Sequence, residues 1–403
     1  MSCWDVMTRL ESRGHHVEVL CSSQRLPRVD DPGTKHERRV HRTLQLYYRD
    51  RDLWAPAPPR RLAIERANQR ALAEALDLSQ PDVVSIWQVG AMSLGLITSL
   101  IERRLPLVYA VCDLWPTYAV KLDAWLRLFA RWPRLGRFTH RMTGVPSTLP
   151  ELDASGAFCF NSELMRQQAR RASPWHFPVS GVVFSGIERR VFSGPSAERP
   201  SERPWQDRLV FVGRLDPRKG VETLLRSLRR LPEGTLVLHG PGSDAELTRW
   251  NGLAKELGVA HRVSFGCSDR ADLPAVYAAA DVCVFPSEWD EPFGLVPLEA
   301  MACGVPVVAT GAGGSAEFLV DGENCLLFPA GDAAALATAV ERLADDPSLR
   351  ARLVSAGFET AEYFDVERLT DAFEAWYEAA LAGFPDGPLP DRQPPLRASG
   401  GVG

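Results

Sequence analysis

Long apolar runs are missing from this 403-residue chain: no stretch of 18 or more apolar residues occurs, which excludes a spanning helix. Its first residues show no charged segment followed by an apolar one, so no secretory leader is read there. Excess positive charge is missing too. The formal net charge is -5, whereas a dedicated nucleic-acid binder needs a strong basic surplus on at least one domain. The eight cysteines include no CxxC pair and no paired Cys/His ligand spacing. They suit free thiols in a reducing compartment better than disulfides or a zinc site, and the cytoplasm is the expected location.

What is present is an alternation of short β-rich runs with helical patterns. The runs fall at 17–20, 83–86, 107–111, 209–212, 236–238, 263–265, 282–285 and 305–309. Between them, spacings such as Val221, Leu224, Leu225, Leu228 and Leu231 describe core-facing helices, and Asp332 is a predicted N-cap ahead of Leu336, Val340 and Leu343. The expected class is α/β, with two Rossmann-like, doubly wound parallel-sheet domains facing across a cleft. A polar, breaker-rich stretch separates them, so we expect domains at 1–187 and 208–362 with a linker at 188–207. A helix over 363–382 carries Phe364, Leu369, Phe373, Trp376 and Tyr377 and is expected to pack back on the first domain. The Pro- and Gly-rich tail 383–403 reads as disordered. The chain opens inside a helix-like segment where a doubly wound half-sheet normally opens with a strand. That strand lies mid-sheet in the usual order, so its loss would leave two unsatisfied edges, and the expectation is a misplaced start or a fragment; an atypical sheet is the alternative.

Two segments of the second domain carry chemistry. In LVFVGRLDPRKG a strand runs into a turn and then a helix near Val221. Gly213 permits close backbone approach, and Arg214 and Lys219 beside a helix start suit a diphosphate whose charge rises as a glycosyl bond breaks. A basic loop at a helix start is the plainer reading. The second segment, SEWDEPFGLVPLEAMACGVPVVAT, lies between two strands and places Pro297 in a first helical turn. Backbone N–H groups at Gly294, Leu295 and Val296, next to Phe293, are then set to face an anion. Glu299 lies one turn on from Leu295 and suits paired ribose hydroxyls, while Glu291 sits on the loop ahead, near a sugar on that diphosphate. Taken singly, both glutamates also read as ordinary acids at a helix start.

These residues resemble the retaining glycosyltransferases of family 4. Gly213, Arg214 and Lys219 match that family's GRL...KG turn, and Glu291 and Glu299 match its E-x7-E signature. GGSAEFLVDGENCLLFPAGD is similar to the family's continuation, and RGHHVEVL, PDVV, AVCDLWP and FCFNSE are similar in arrangement to its first domain. The resemblance implies a GT-B fold and transfer of a sugar, with retained configuration, from a nucleoside diphosphate sugar to an acceptor hydroxyl. Glu291, Arg214 and Lys219 are then catalytic, Gly213, Gly240, Gly242, Phe293, Gly294, Leu295, Val296 and Glu299 donor-binding, and Cys112 and Asp113 on the acceptor side. Cys112 departs from the pattern, because many members carry a histidine there. No cofactor is implied, and no metal is required where two cations and a helix terminus balance the charge. A nucleotide-sugar 2-epimerase, or a catalytically weak nucleotide-sugar-binding protein, is the alternative.

Three further signals are weaker. HGPGSDA formally matches a dinucleotide fingerprint but lacks the following acid, so Gly240 and Gly242 read either as close approach to the donor or as a plain turn. His15 and His16 read as structural. The segment 121–141 interleaves Trp125, Phe129 and Trp132 with five arginines around the single acid Asp123. It is either a peripheral contact with the inner membrane face or a core stripe with a solvated basic face.

Overall fold

The structure, a computed structural model, describes residues 2–23, 39–49, 52–192 and 204–384. The expected disordered tail beyond 384, and 193–203 of the expected linker, lie outside the described residues. The chain forms two compact units, one from Cys3–Val183 with residues 370–384, the other from Phe184–Leu369. Residues 184–187, expected with the first unit, group with the second. The Ile187 N–H donates to the Phe364 carbonyl, the Ile187 carbonyl accepts from the Val366 N–H, and the short helix Arg189–Phe192 follows. Trp205, expected in a bare linker, packs against the second unit's core.

Among the described residues, eight strands belong to the first unit: β1 (Val19–Ser22), β2 (Val40–Leu44), β3 (Tyr48–Arg49), β4 (Asp52–Leu53), β5 (Val84–Ile86), β6 (Leu107–Val111), β7 (Ala157–Phe160) and β8 (Ser180–Val182). They hydrogen-bond as a parallel pair β1–β2, an antiparallel pair β3–β4, and a parallel sheet β5–β6–β7–β8. β6 is buried along its whole length, as a continuous LVYAV run requires when helices cover both faces. Tyr109 on β6 stacks on Phe158 of β7 with centroids 4.3 Å apart. The helix Val366–Leu381 contributes its C-terminal part to this unit: Phe373 packs on Trp87, and the Tyr377 hydroxyl meets Ser85 Oγ at 2.9 Å.

The second unit holds β9 (Arg208–Val212), β10 (Thr235–His239), β11 (Val263–Gly266), β12 (Val282–Phe285), β13 (Val307–Ala309) and β14 (Leu326–Leu327). They form one all-parallel sheet in the order β11–β10–β9–β12–β13–β14. Side-chain alternation sends Leu209 and Phe211 of β9 into one hydrophobic cluster and Val210 and Val212 into another. The sheet is therefore covered on both faces, and ligands are left only its ends. The strand order reverses between β9 and β12, so the loops leaving those neighbours diverge and open a crevice at their carboxyl ends, the place where open α/β sheets bind ligands.

Candidate functional site

Both sequence segments singled out for chemistry leave the sheet at that reversal. After β9 the chain turns at Gly213, whose φ is +148°, and makes a short 3-10 turn, Pro217–Lys219, before the helix Val221–Ser227. Asp216 caps the turn: its carboxylate accepts from the Arg218 N–H at 2.9 Å and from its guanidinium at 2.7 Å. That hydrogen bonding holds the Asp216 carboxyl down at about 2. Gly220, at φ +71°, backs onto the Pro286 carbonyl so closely that a Cβ would sit 1.9 Å from the oxygen. The β9 turn is thus pressed against the loop that follows β12.

The seam brings charge together. Lys219 Nζ is ion-paired with Glu291 Oε1, which also accepts from Ser287 Oγ at 2.9 Å. Both partners are largely buried, and removing one partner of such a pair costs about 3–5 kcal/mol because the other charge is left uncompensated. Trp289 lies under the same cations, with the Arg218 guanidinium 4.7 Å and the Lys219 ammonium 5.6 Å from its ring centroid. The turn at Gly313 and Gly314 closes the other side. A Cβ on Gly313 would meet the Glu291 backbone nitrogen at 2.2 Å, and Gly314 N–H donates to the Glu291 carbonyl at 2.7 Å. Glu291 is gripped at backbone and side chain alike.

Gly294, at φ +92°, caps the helix Leu295–Ala302. Its first N–H groups have no acceptor within the helix, and the helix dipole favours an anion in front of them. Phe293 beside it is buried in the aromatic cluster of Phe184, Phe318 and Phe364. One turn into the helix, Glu299 is buried and accepts at Oε2 from the Tyr277 hydroxyl at 2.9 Å. Burial raises the Glu299 carboxyl above its usual range, against the opposing pull of the Tyr277 hydrogen bond and the Arg270 charge.

Not every residue singled out by the sequence faces this seam. Arg214 is exposed, and it is Lys219 that pairs with a carboxylate. The close approaches at Gly240 and Gly242 are made by the protein itself. A Cβ on Gly240, at φ +147°, would lie 2.1 Å from the Gly213 carbonyl oxygen, and one on Gly242 would lie 3.0 Å from the Leu215 side chain. Their freedom from a side chain is needed for this packing. Ser243 then opens the helix Asp244–Glu256 with a capping box to Glu246, so HGPGSDA is a helix start. In the first unit Asp113 accepts from the Trp115 N–H at 2.9 Å, the Tyr118 hydroxyl at 2.7 Å and Gln88 Nε2 at 3.1 Å. Burial pushes the Cys112 thiol beside it up to about 12, which keeps it un-ionised. Ser287, Trp289, Tyr277 and the Gly313–Gly314 turn were not singled out. The glycine pair was the one visible signal among them, since two adjacent glycines after a strand mark a tight turn.

Residues 198–360 match the family described as Glycosyl transferases group 1, and residues 1–173 match Glycosyltransferase Family 4. A D-inositol 3-phosphate glycosyltransferase of Mycobacterium marinum is 35% identical over 216 residues, covering 51% of this chain and 46% of that protein. The chain spans about half the length of the curated relatives it matches. Sucrose-phosphate synthase from Thermosynechococcus elongatus shares the fold, with a TM-score of 0.68 at 24% identity, covering 94% of this chain and 92% of that one. HepE of Anabaena, solved in complex with UDP-glucose, aligns with a TM-score of 0.56 at 23% identity over 75% of this chain and 80% of that one.

Proposed function

We propose that this chain, whose residues 1–173 and 198–360 match glycosyltransferase families, uses its two Rossmann-like domains to transfer a sugar from a nucleoside diphosphate sugar to an acceptor hydroxyl. The observation that carries the reading is the buried Lys219–Glu291 pair at the strand-order reversal, one turn ahead of a helix N-terminus. The donor diphosphate sits at the Gly294, Leu295 and Val296 amides with Lys219 alongside and Arg214 at the open rim. Glu299 has one oxygen on Tyr277, which leaves the other for a ribose hydroxyl. The Anabaena neighbour's UDP-glucose is in keeping with that donor class.

Lys219 is ion-paired with Glu291. An incoming diphosphate competes for the ammonium and shares it, so Glu291 gains lone pairs for a sugar hydroxyl as the donor arrives. In the transfer step the bond from the anomeric carbon to the diphosphate oxygen breaks and a bond to the acceptor oxygen forms. The departing diphosphate takes the acceptor proton, on the face the acceptor enters, and configuration is retained. The growing negative charge is met by Lys219, Arg214 and the helix amides, so no metal ion is needed to balance it. On the acceptor side, Asp113 is the candidate contact, with Cys112 a neutral neighbour. The place of action is the cytoplasm.

A panel of nucleoside diphosphate sugars, screened first by thermal shift and then by product formation with hydroxyl acceptors, tests the proposal. One donor should raise Tm at micromolar to millimolar concentration, by mass action on the folded state. It should also yield a glycoside in which the anomeric configuration is kept. Free epimerised sugar in the absence of acceptor would instead place the chain among the epimerases.

A further inference from the structure

Of the exposed large apolar side chains in the described residues, five lie within one short stretch of the first unit: Trp132 (67% exposed), Leu135 (52%), Phe138 (59%), Met142 (69%) and Leu149 (41%). Three of them ride on the helix Pro133–Thr143. The same stretch is one-sided in charge. Between Asp123 and Glu151 there is no acidic residue and there are five arginines, in a chain whose overall charge is negative. All five arginines are exposed, and among the described residues none of them forms an ion pair. The sequence left two readings of this segment open, and the structure divides it between them. Trp125 and Phe129 are core, in T-shaped contact at 5.1 Å, whereas everything from Trp132 to Met142 that is large and apolar points to solvent.

The helix sorts its side chains around its axis. At about 100° per residue, Gly136, His140 and Thr143 face the protein. Gly136 lets that face seat closely, since a Cβ there would lie 2.4 Å from the Ser147 carbonyl oxygen. Leu135, Phe138 and Met142 then share an arc of about 60° on the outer side, and Arg134, Arg137 and Arg141 share the adjoining arc of about 60°. A solvated face would carry the arginines without the apolar strip. A protein-docking strip would carry the apolar residues with fewer unmatched like charges. The two side by side, on an exposed helix lying along the surface, are the arrangement of an interfacial helix: apolar side chains enter the acyl boundary while cations stay with anionic headgroups.

We infer that the face built by Trp132, Leu135, Phe138 and Met142 with the flanking arginines seats this protein on an anionic lipid surface, with the helix Pro133–Thr143 lying in the plane of that surface. Nothing in this surface depends on the donor site, so either assignment can fail without the other. The test is co-sedimentation of the full chain with vesicles of phosphatidylcholine alone and of phosphatidylcholine with phosphatidylglycerol. Binding to the mixed vesicles should exceed binding to the neutral ones at least about tenfold and weaken as salt is raised. Phe138→Ser/Met142→Ser should lower it by a similar factor with the thermal melt unchanged, and Arg134→Ala/Arg137→Ala/Arg141→Ala should abolish the preference for the anionic lipid. Failure to sediment with either vesicle would overturn the assignment, as would equal binding by the wild type and both variants. A wild-type dimer that Phe138→Ser/Met142→Ser converts to monomer without lipid would also overturn it, and would assign the strip to a second copy of the chain.

Discussion

The two units bury carboxylates in opposite company. In the second, Glu291 is matched by the ammonium of Lys219, delivered from a different strand's loop, with Trp289 and a glycine turn around it. In the first, Glu65 is equally buried, but its hydrogen bonds come from neutral hydroxyls: Tyr47 at 2.6 Å on one oxygen and Ser93 on the other. Burial, then the nearby Asp123, raises the Glu65 carboxyl to about 8. Asp123 itself is buried, pushed up by that burial, and bonded to the backbone N–H groups of Leu94 and Leu126. Burial alone therefore does not mark a functional carboxylate. A buried acid whose partner is a cation from another loop, at a sheet's ligand-binding end, has charge to trade with an incoming anion. A buried acid among hydroxyls and amides ties loops together.

The sharpest way to break this contrast is to remove the cation. Lys219→Ala should lower kcat about 100- to 1000-fold, the scale of losing one stabilising donor from a transition state, in steady-state assays with the identified donor. A fall confined to folding stability would place Glu291 with Glu65. Gly240→Ala should come next. Its Cβ must displace the Gly213 backbone, so unfolding free energy should drop by about 1–3 kcal/mol in urea titration, and donor affinity should fall only as far as the β9 turn moves.

Glu65→Gln probes the other side of the comparison. A carboxyl whose folded pKa is raised contributes stability that is fully present below its unfolded pKa and is lost as pH rises. The wild type should therefore lose stability between about pH 4.5 and 8, and Glu65→Gln, which cannot ionise, should flatten that part of the curve. An unchanged slope would show that Glu65 ionises in the folded protein as readily as in the unfolded chain. The smallest effect is expected at Asp113→Asn. The variant keeps Oδ1 as acceptor for the Trp115 N–H, and the Tyr118 hydroxyl can turn to accept from the amide that replaces Oδ2, so it should cost about 1 kcal/mol and slow transfer less than tenfold. No loss of rate at all would limit Asp113 to tying loops and remove it as the candidate acceptor contact.

The second unit was the more legible half. Its strands are short apolar runs set off by glycines, and 282–285 coincides with β12 while β9, β10 and β11 extend the runs read there by one or two residues. The run at 305–309 shortens to β13 because Val305 and Pro306 lead in from the helix. In the first unit β6 was legible, but β2 is a half-exposed VHRTL whose histidine and arginine hide the pattern, and β7 is four residues of AFCF, too brief to separate from a helix by period. At the site, the turn and helix-start residues were readable because glycine, proline and charge sit at fixed offsets. The Lys219–Glu291 pairing was not, since it depends on β9 and β12 lying side by side. Glu65 gave no signal at all, and Asp123 showed only as the single acid of a basic segment. On a helix of weak amphipathicity an isolated glutamate reads as solvated, and only Tyr47 and Ser93, distant in sequence, make it a buried one.

The central claim, that the seam between the β9 and β12 loops binds a nucleoside diphosphate, is tested most directly by calorimetric titration. The full chain would be titrated with UDP, GDP and ADP, each beside its bare nucleoside, and Glu299→Ala carried in parallel. One diphosphate should bind at least about tenfold tighter than its nucleoside, and Glu299→Ala should weaken that diphosphate by about 1–3 kcal/mol, the cost of a lost hydrogen bond to a charged group. Equal affinity for diphosphate and nucleoside, or no binding of any of the three, would contradict it.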